Sequence, residues 1–382
     1  MNKLPNGWTQ STFGECLQYE QPTKYIVKST KYNNNYKTPV LTAGKSFILG
    51  YTNETDGIFT QTPVIIFDDF TTDTKFVDFH FKVKSSAMKI LMPNGKADIK
   101  FLYYLMQIIY HRSDTHKRYW ISEYSKIKIP LPPLETQKQI AERLDFLFDK
   151  IDKALKLLNE NKEYIKKYRL SILKDAFEGK LTRPSKNWEI KTLGDVYEIT
   201  SSKRVFKKEW KKEGIPFYRA RDIVSFSKNE AIKSPLFISY NMYNEYSKKY
   251  GIPSEDDILV TGVGTIGIPY LVKSDDKFYF KDGNIIWLKK KSDKIFSKYV
   301  YYLFFSNLLE LNSRGSTVLT YTIIHAKNTK IPLPPLETQK EIVSILDTKF
   351  KSMEEIERLN NENIENLLLL KKSLLKEAFS GN

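Results

Sequence analysis

The sequence predicts an α+β protein in which two mixed α/β globular segments alternate with two long helices, and three observations predict it. The decapeptide IPLPPLETQK at residues 129–138 returns unchanged at residues 331–340. From the Glu within each copy, Glu135 and Glu337, runs a stretch of about 44 residues without Pro or Gly. Before each copy lies a segment that mixes short apolar runs of strand length with one helix-like stripe. A single large duplication, unlike periods of 20–50 residues, argues for two similar halves rather than a solenoid.

In chain order, residues 1–134 form the first globular segment. It opens with NGWTQSTFGEC from Asn6, which resembles KNWEIKTLGDV from Lys186, Trp8 falling on Trp188 and Gly14 on Gly194. PVIIF from Pro63 reads as a strand, and DIKFLYYLMQIIY from Asp98 as a helix whose Tyr and Leu stripe belongs to a core. Pro132 and Pro133 then break the chain, and the acid-bearing LETQ suits a helix start. Residues 135–180 are the first long helix, roughly 66 Å at 1.5 Å per residue. Its apolar residues Leu144, Leu147, Ile151, Ala154, Leu158, Ile165, Tyr168 and Ile172 recur at the 3–4 spacing of a coiled-coil seam.

Residues 181–336 form the second globular segment, about 22 residues longer, with DILVT from Asp257 and GNIIWL from Gly283 as strands and FSKYVYYLFFSNLLEL from Phe296 as its helix. Residues 337–382 are the second long helix, with Leu346, Met353, Ile356, Leu367, Leu370 and Leu374 on its seam and Lys349 and Asn360 interrupting it. Two matching seams in one chain most simply pack on each other. Asn161 and Asn363 occupy equivalent seam positions, where a polar pair fixes register at a cost in stability, unless both face solvent.

The chain of 382 residues has a net charge of +16, distributed as +6, +2, +10 and −2 over the four segments in order. Basic globular parts attract a polyanion, although a Lys-rich composition alone would give the same total. No apolar run reaches bilayer length and no signal-peptide hydrophobic region opens the chain, so the expected location is cytoplasmic, away from membranes. One cysteine, Cys16, allows no internal disulfide, and four scattered histidines give no metal-ligand spacing, so no metal site is expected.

Several motifs fail on context. TGVGTIG from Thr261 has the G-x-G-x-x-G spacing, but IPYLVK follows it as a strand rather than a helix, which suits a glycine hairpin approaching a ligand backbone. AGKS at residues 43–46 lacks the upstream glycine of a phosphate loop. The carboxylate pairs Asp68-Asp69 and Asp256-Asp257 read as solvated turns. With no catalytic motor, methyl-donor site or nuclease core legible, the chain reads as a binder and not an enzyme.

The duplicated IPLPPLETQ with a long helix attached, together with HKRYWISEYSKIKIPLPPLETQ from His116, TPVLTAGKSFILGYT from Thr38 and GSTVLTYTIIHAKNTKIPLPPLETQ from Gly315, resembles the specificity subunit of type I restriction-modification systems over the whole chain. That resemblance implies two target-recognition domains, each reading one half of a split, asymmetric site in double-stranded DNA. It implies conserved spacer helices paired as an antiparallel coiled coil with pseudo-two-fold symmetry. The helices would dock two methyltransferase subunits that use S-adenosylmethionine to methylate adenine N6. Up to two restriction subunits, with ATP and Mg, would supply cleavage, and no cofactor would belong to this chain.

On this reading the DNA-contact candidates in the first domain are Thr23, Lys24, Lys45, Ser46, Tyr51, Lys117, Arg118 and Tyr119. In the second they are Ser202, Lys203, Arg204, Arg219, Arg221, Thr265, Arg314, Ser316 and Thr317. Arg204 and Arg221 suit bidentate guanine contacts. Partner contact falls on Pro132, Pro133, Leu134, Gln137, Pro334, Pro335, Leu336 and Gln339, unless the proline segments only brace domain to helix. Two other readings are a non-specific basic nucleic-acid binder and a scaffold for acidic protein partners; a nuclease ranks behind both.

Overall fold

The computed structural model describes residues 4–42, 44, 46–109, 118–182, 188–228, 230–311 and 320–380. The chain divides into two compact units: residues 1–159 with 361–382, and residues 160–360. Each of the two long helices is therefore shared between the units.

In the first unit the chain runs β1 (Thr9–Thr12), α1 (Phe13–Cys16), β2 (Leu17–Glu20), β3 (Thr38–Leu41), β4 (Ile48–Thr52), β5 (Val64–Asp68), β6 (Thr74–Val77), β7 (Lys82–Val83) and β8 (Met88–Pro93). It continues through α2 (Ile99–Ile108), α3 (Tyr119–Ser122), β9 (Lys128–Leu131) and the long α4 (Leu134–Phe177). An antiparallel sheet β2-β8-β5-β6 is central, and a second sheet, β4-β3-β7, has β3 and β7 parallel. The run VIIF is apolar without alternation because β5 is covered on both faces. Ile65 and Phe67 point into the core shared with α2 and the long helices, whereas Val64 and Ile66 point to Phe59, Phe81 and Val83.

The second unit repeats this plan on different residues: β10 (Glu189–Thr192), α5 (Leu193–Val196), β11 (Tyr197–Thr200), β12 (Ile215–Tyr218), α6 (Ala220–Ser227), β13 (Phe237–Ile238) and α7 (Tyr240–Tyr250). Then come β14 (Ile258–Thr261), β15 (Pro269–Leu271), β16 (Tyr279–Phe280), β17 (Ile285–Lys290), α8 (Ser297–Phe304), α9 (Ile323–Asn328), β18 (Lys330–Leu333) and the long α10 (Leu336–Ser380). The sheets β11-β17-β14-β15 and β13-β12-β16 match those of the first unit strand for strand. Ile258 and Val260 face the helical core while Leu259 faces Ile285 and Trp287. The extra length lies in α6 and α7, which occupy connections that carry no helix in the first unit.

The decapeptide has two structural halves. Its first residues form a strand that closes each unit on its own beginning: Thr9 faces Leu131 and Thr12 faces Lys128, and Glu189 faces Leu333 in the other. Proline is tolerated there because each ribbon has only two strands. LETQ then starts the helix, with the Gln137 N–H donating to the Pro133 carbonyl at 3.0 Å and Gln339 doing the same to Pro335.

Within each unit the long helices run antiparallel. In the second, Asn161 meets Asn360 at 3.3 Å while Arg169, further along α4, meets Phe350, earlier along α10. In the first, Lys371 binds Asp152 at 2.7 Å. Three seam expectations are corrected: Tyr168, Ile356 and Leu370 are 45–50% exposed. Their helical neighbours take the inner positions with long stems, Arg169 stacking 5.2 Å over Phe350, Glu357 pairing with Arg169 at 3.5 Å, and Lys371 lying 4.6 Å over Phe148. Asn363 is likewise exposed, and the polar partner of Asn161 is Asn360, the residue expected to interrupt the seam.

Candidate nucleic-acid interface

In the first unit, Thr23 and Lys24 stand exposed on a 3-10 turn, Pro22–Tyr25, that Pro22 starts. Glu20 accepts from the Lys24 ammonium at 2.6 Å and holds its pKa above the usual lysine value. The turn is fastened from inside by a buried polar chain. Gln21 Oε1 accepts from the Lys89 ammonium, which lies 3.3 Å from the buried Asp69 carboxylate, and Asp69 Oδ1 accepts from the Trp120 N–H at 2.8 Å. Since the Tyr119 N–H also donates to the Asp69 carbonyl at 3.0 Å, this network joins the turn to the segment that presents Arg118. Asp68-Asp69 is therefore no solvated pair: Asp69 is buried, and Asp68 caps its own turn by accepting from the Phe70 and Thr71 N–H groups.

Arg118 and Ser46 are exposed and Tyr51 is half-buried on β4. Tyr119 is 1% exposed and leaves the candidate set, because its ring is core. A second buried lysine, Lys82, ties the neighbouring loop by donating to the Asp56 carbonyl and pairing with Glu54 at 3.2 Å. Lys45 and Lys117 lie outside the described residues.

In the second unit Ser202, Lys203 and Arg204 stand beside the chain from β16 to β17. Ser202 Oγ donates to the Phe280 carbonyl at 2.7 Å, and the Lys203 N–H donates to the Tyr279 hydroxyl at 2.9 Å. Burial pushes the Tyr279 phenol up to about 12, so it stays neutral and able to brace the loop. Arg204 reaches Asp282 at 2.8 Å yet keeps a side chain 65% exposed. The adjoining turn holds the glycine loop, as the Gly262 N–H donates to Asn284 at 2.9 Å, and Thr265 is exposed at that loop's tip.

Two glycines of TGVGTIG are required by close neighbours within the chain, while Gly264, at φ +79°, stands in open space. A Cβ on Gly262 would stand 2.6 Å from the Tyr321 carbonyl, and Gly267, at φ +76°, would strike Leu311 at 2.2 Å. Asp256 and Asp257 are also engaged: Asp257 accepts from the Trp287 indole at 2.9 Å, and Asp256 pairs with Lys290 at 2.7 Å.

Arg219 is corrected. Its guanidinium grips the buried Asp222 at 2.8 and 3.1 Å and donates to the Ser234 carbonyl, which closes the start of α6 and leaves little of it for a base. Arg221 remains, 62% exposed and 3.8 Å from Asp222. Arg314, Ser316 and Thr317 lie outside the described residues. Sequence reasoning passed over Lys207, Lys208, Lys211 and Lys212, all exposed, although KRVFKKEWKK at residues 203–212 is legible as a run of six cations and one acid.

Of the partner-contact candidates, Gln137 and Gln339 are buried brackets. Gln137 accepts from the Asp98 N–H at the head of α2 and donates to the Pro132 carbonyl, both at 2.8 Å. Gln339 accepts from Phe296 and donates to Lys294 and Pro334 at 2.8–2.9 Å. Pro132 and Pro334 are buried with them, while Pro133, Leu134 and Pro335 are exposed and Leu336 is half-buried. A second clasp follows, in which the Tyr104 hydroxyl and the Lys100 ammonium meet Asp145, matched by Tyr302 and Lys298 on Asp347, the latter at 2.7 Å. No group of residues able to hold a metal ion and no helix long and apolar enough to cross a membrane occurs among the described residues.

A family model described as the type I restriction modification DNA specificity domain matches residues 5–166 and again residues 185–366. The specificity subunit of the type I restriction enzyme EcoR124I/EcoR124II of Escherichia coli is 34% identical over 373 residues, covering 89% of this chain and 86% of that protein. The MjaVIII specificity subunit of Methanocaldococcus jannaschii is 27% identical over 415 residues, covering 98% and 95%. Among solved structures, a chain from work on complex assembly and conformational transition of the type I R-M system shares the fold with a TM-score of 0.75, at 19% identity and full coverage of both chains. The HsdS subunit of Thermoanaerobacter tengcongensis shares it at 0.59, with 18% identity and 99% and 98% covered.

Proposed function

Because this chain belongs to the type I restriction-modification specificity subunits, a non-catalytic family of DNA sequence recognition, we propose that each unit reads one half of a bipartite, asymmetric DNA site. The observation that carries this reading is one plan built twice on unlike residues. The sheets, the glutamine bracket and the aspartate clasp are the same in both units, whereas the rims differ: Thr23, Lys24 and Arg118 in one, Lys203, Arg204 and Thr265 in the other. Equal scaffolds with unequal rims suit half-sites of unequal sequence. Phosphate contacts position such rims and a few side chains read base edges.

The long helices are, on this proposal, the docking surface for two methyltransferase subunits. Exposed Phe146, Leu157 and Leu369 in the first unit and Tyr164, Tyr168 and Leu359 in the second leave apolar area on helices of low net charge, which favours a protein partner over a phosphate backbone. Pro133, Leu134, Pro335 and Leu336 extend that surface to the helix starts. The partner would bring S-adenosylmethionine and act on an adenine turned out of the duplex, and restriction subunits with ATP and Mg would add cleavage.

Co-expression with a methyltransferase subunit, followed by single-molecule mapping of N6-methyladenine, tests the reading. A split motif with unlike halves is expected. An associated, soluble complex that methylates no motif would contradict it and favour an architectural DNA binder. Docking is tested separately: Leu157→Glu with Leu369→Glu should weaken methyltransferase association by tenfold or more in light scattering, roughly the 1.4 kcal/mol or more lost when a charge must be buried. Unchanged association would move the docking surface elsewhere.

A further inference from the structure

The basic run at residues 203–212 lies along α7 rather than loose in solvent. At one end the Lys203 ammonium sits 5.4 Å over the Tyr250 ring, which Lys249 also faces at 5.5 Å. At the other, Lys211 and Lys212 line a hollow with Tyr240, over whose ring Lys277 stands at 6.0 Å. Its own acid, Glu209, is turned into the local turn, where it accepts from the Phe206 N–H at 2.6 Å, and Asp282 is taken by Arg204. Glu213 and Glu245 are the exposed acids of this face. Among the described residues the ion pairs of this region belong to Arg204, Arg219 and Arg221, and Lys207, Lys208, Lys211 and Lys212 have none.

We infer that Lys207, Lys208, Lys211 and Lys212, with α7, form a strip that grips the DNA phosphate backbone beside the half-site of the second unit and positions it without reading bases. This inference rests on the DNA-recognition reading above. Unpaired lysines are mobile point charges suited to phosphate, and each phosphate they neutralise releases condensed counterions. Tyr240 and Tyr250, exposed and flanked by ammonium groups, add ring faces and hydroxyls at the same height. The eleven residues of α7 span about 16 Å, close to five base-pair rises of about 3.4 Å, so a strip along this helix is long enough to follow several phosphates. In the first unit the connection between β4 and β5, which matches that of α7, has no helix, so this helix-backed strip is a feature of the second unit.

The test uses the complete complex with its methyltransferase partners. Lys207, Lys208, Lys211 and Lys212 are all changed to Gln, and Kd for a duplex carrying the methylated motif is measured from about 50 to 200 mM KCl. The slope of log affinity against log salt should become shallower by about 3 to 4, from about 0.9 per phosphate contact, while the motif stays the same. A control with Lys273, Lys294, Lys327 and Lys330 changed to Gln removes equal charge from other exposed positions of this unit and should leave most of the slope. A wild-type slope in the strip variant, or an equal loss in the control, overturns the strip and leaves sequence recognition standing. Absence of specific binding by the unmodified complex overturns both.

Discussion

The glutamine of LETQ is the residue on which the architecture turns. From sequence it reads as a partner contact or as part of a brace between domain and helix, and the fold shows it aimed inward, joining the start of a long helix to the start of a domain helix in both units. Gln339→Ala would leave the Phe296 N–H and the Lys294 carbonyl without partners, at a cost of about 2–3 kcal/mol readable as a lowered urea midpoint. An unchanged midpoint would show that the bracket contributes nothing. Asp69 is a harsher case. Asp69→Asn leaves the Lys89 ammonium buried without a counter-charge, and about 3–5 kcal/mol should be lost, with proteolysis after Arg118 rising as the segment it anchors loosens. Side-chain direction explains why Tyr119 and Arg219 leave the DNA-contact set and why the glutamines follow the bracing alternative: residue type says a group can meet DNA or a partner, but only tertiary packing says which way it points.

At the level of elements, the strands from VIIF, DILVT and GNIIWL and both long helices were legible, because apolar runs and uninterrupted helix-forming stretches are local signals. The inner faces of the long helices were legible only in part. Leu144, Ile151, Ile165 and Ile172 are buried as spacing predicts, yet Arg169, Glu357 and Lys371 displace apolar neighbours since their stems pack while their charges pair. Helix and sheet also meet through buried tyrosines. Burial raises the phenol pKa of Tyr197, Tyr299 and Tyr321, and the acceptor carboxylates of Asp145 and Asp347 add to burial at Tyr104 and Tyr302. A folded pKa raised above the unfolded value of about 10 stabilises fully below that pH, and the contribution disappears as pH rises through the folded values. The urea midpoint should therefore show no tyrosine-dependent change up to about pH 10 and fall between about 10 and 12, with phenolate absorbance appearing together with unfolding. Phenolate absorbance at an ordinary tyrosine pH without unfolding would contradict this.

For the molecule as a whole, the duplication announced two units of one plan, and the repeated sheet orders bear that out. What the repeat could not announce is how each unit closes: the strand half of IPLPP pairs with the first strand of its own unit, a contact that in the first unit joins residues 122 apart in sequence. The charge distribution pointed to the second globular part, and its extra connections carry the helix along which the densest basic run lies. The base sequence of a half-site has no such signal, since readout depends on which rim side chains reach base edges at a given depth. The central claim is that the units read independently, and the most direct measurement exchanges residues 1–128 for the corresponding part of a relative of different specificity. Methylation is then mapped across plasmid DNA by the co-expressed complex. One half of the motif should change while the other half and the spacing persist. A change in both halves, or in neither, would contradict the account.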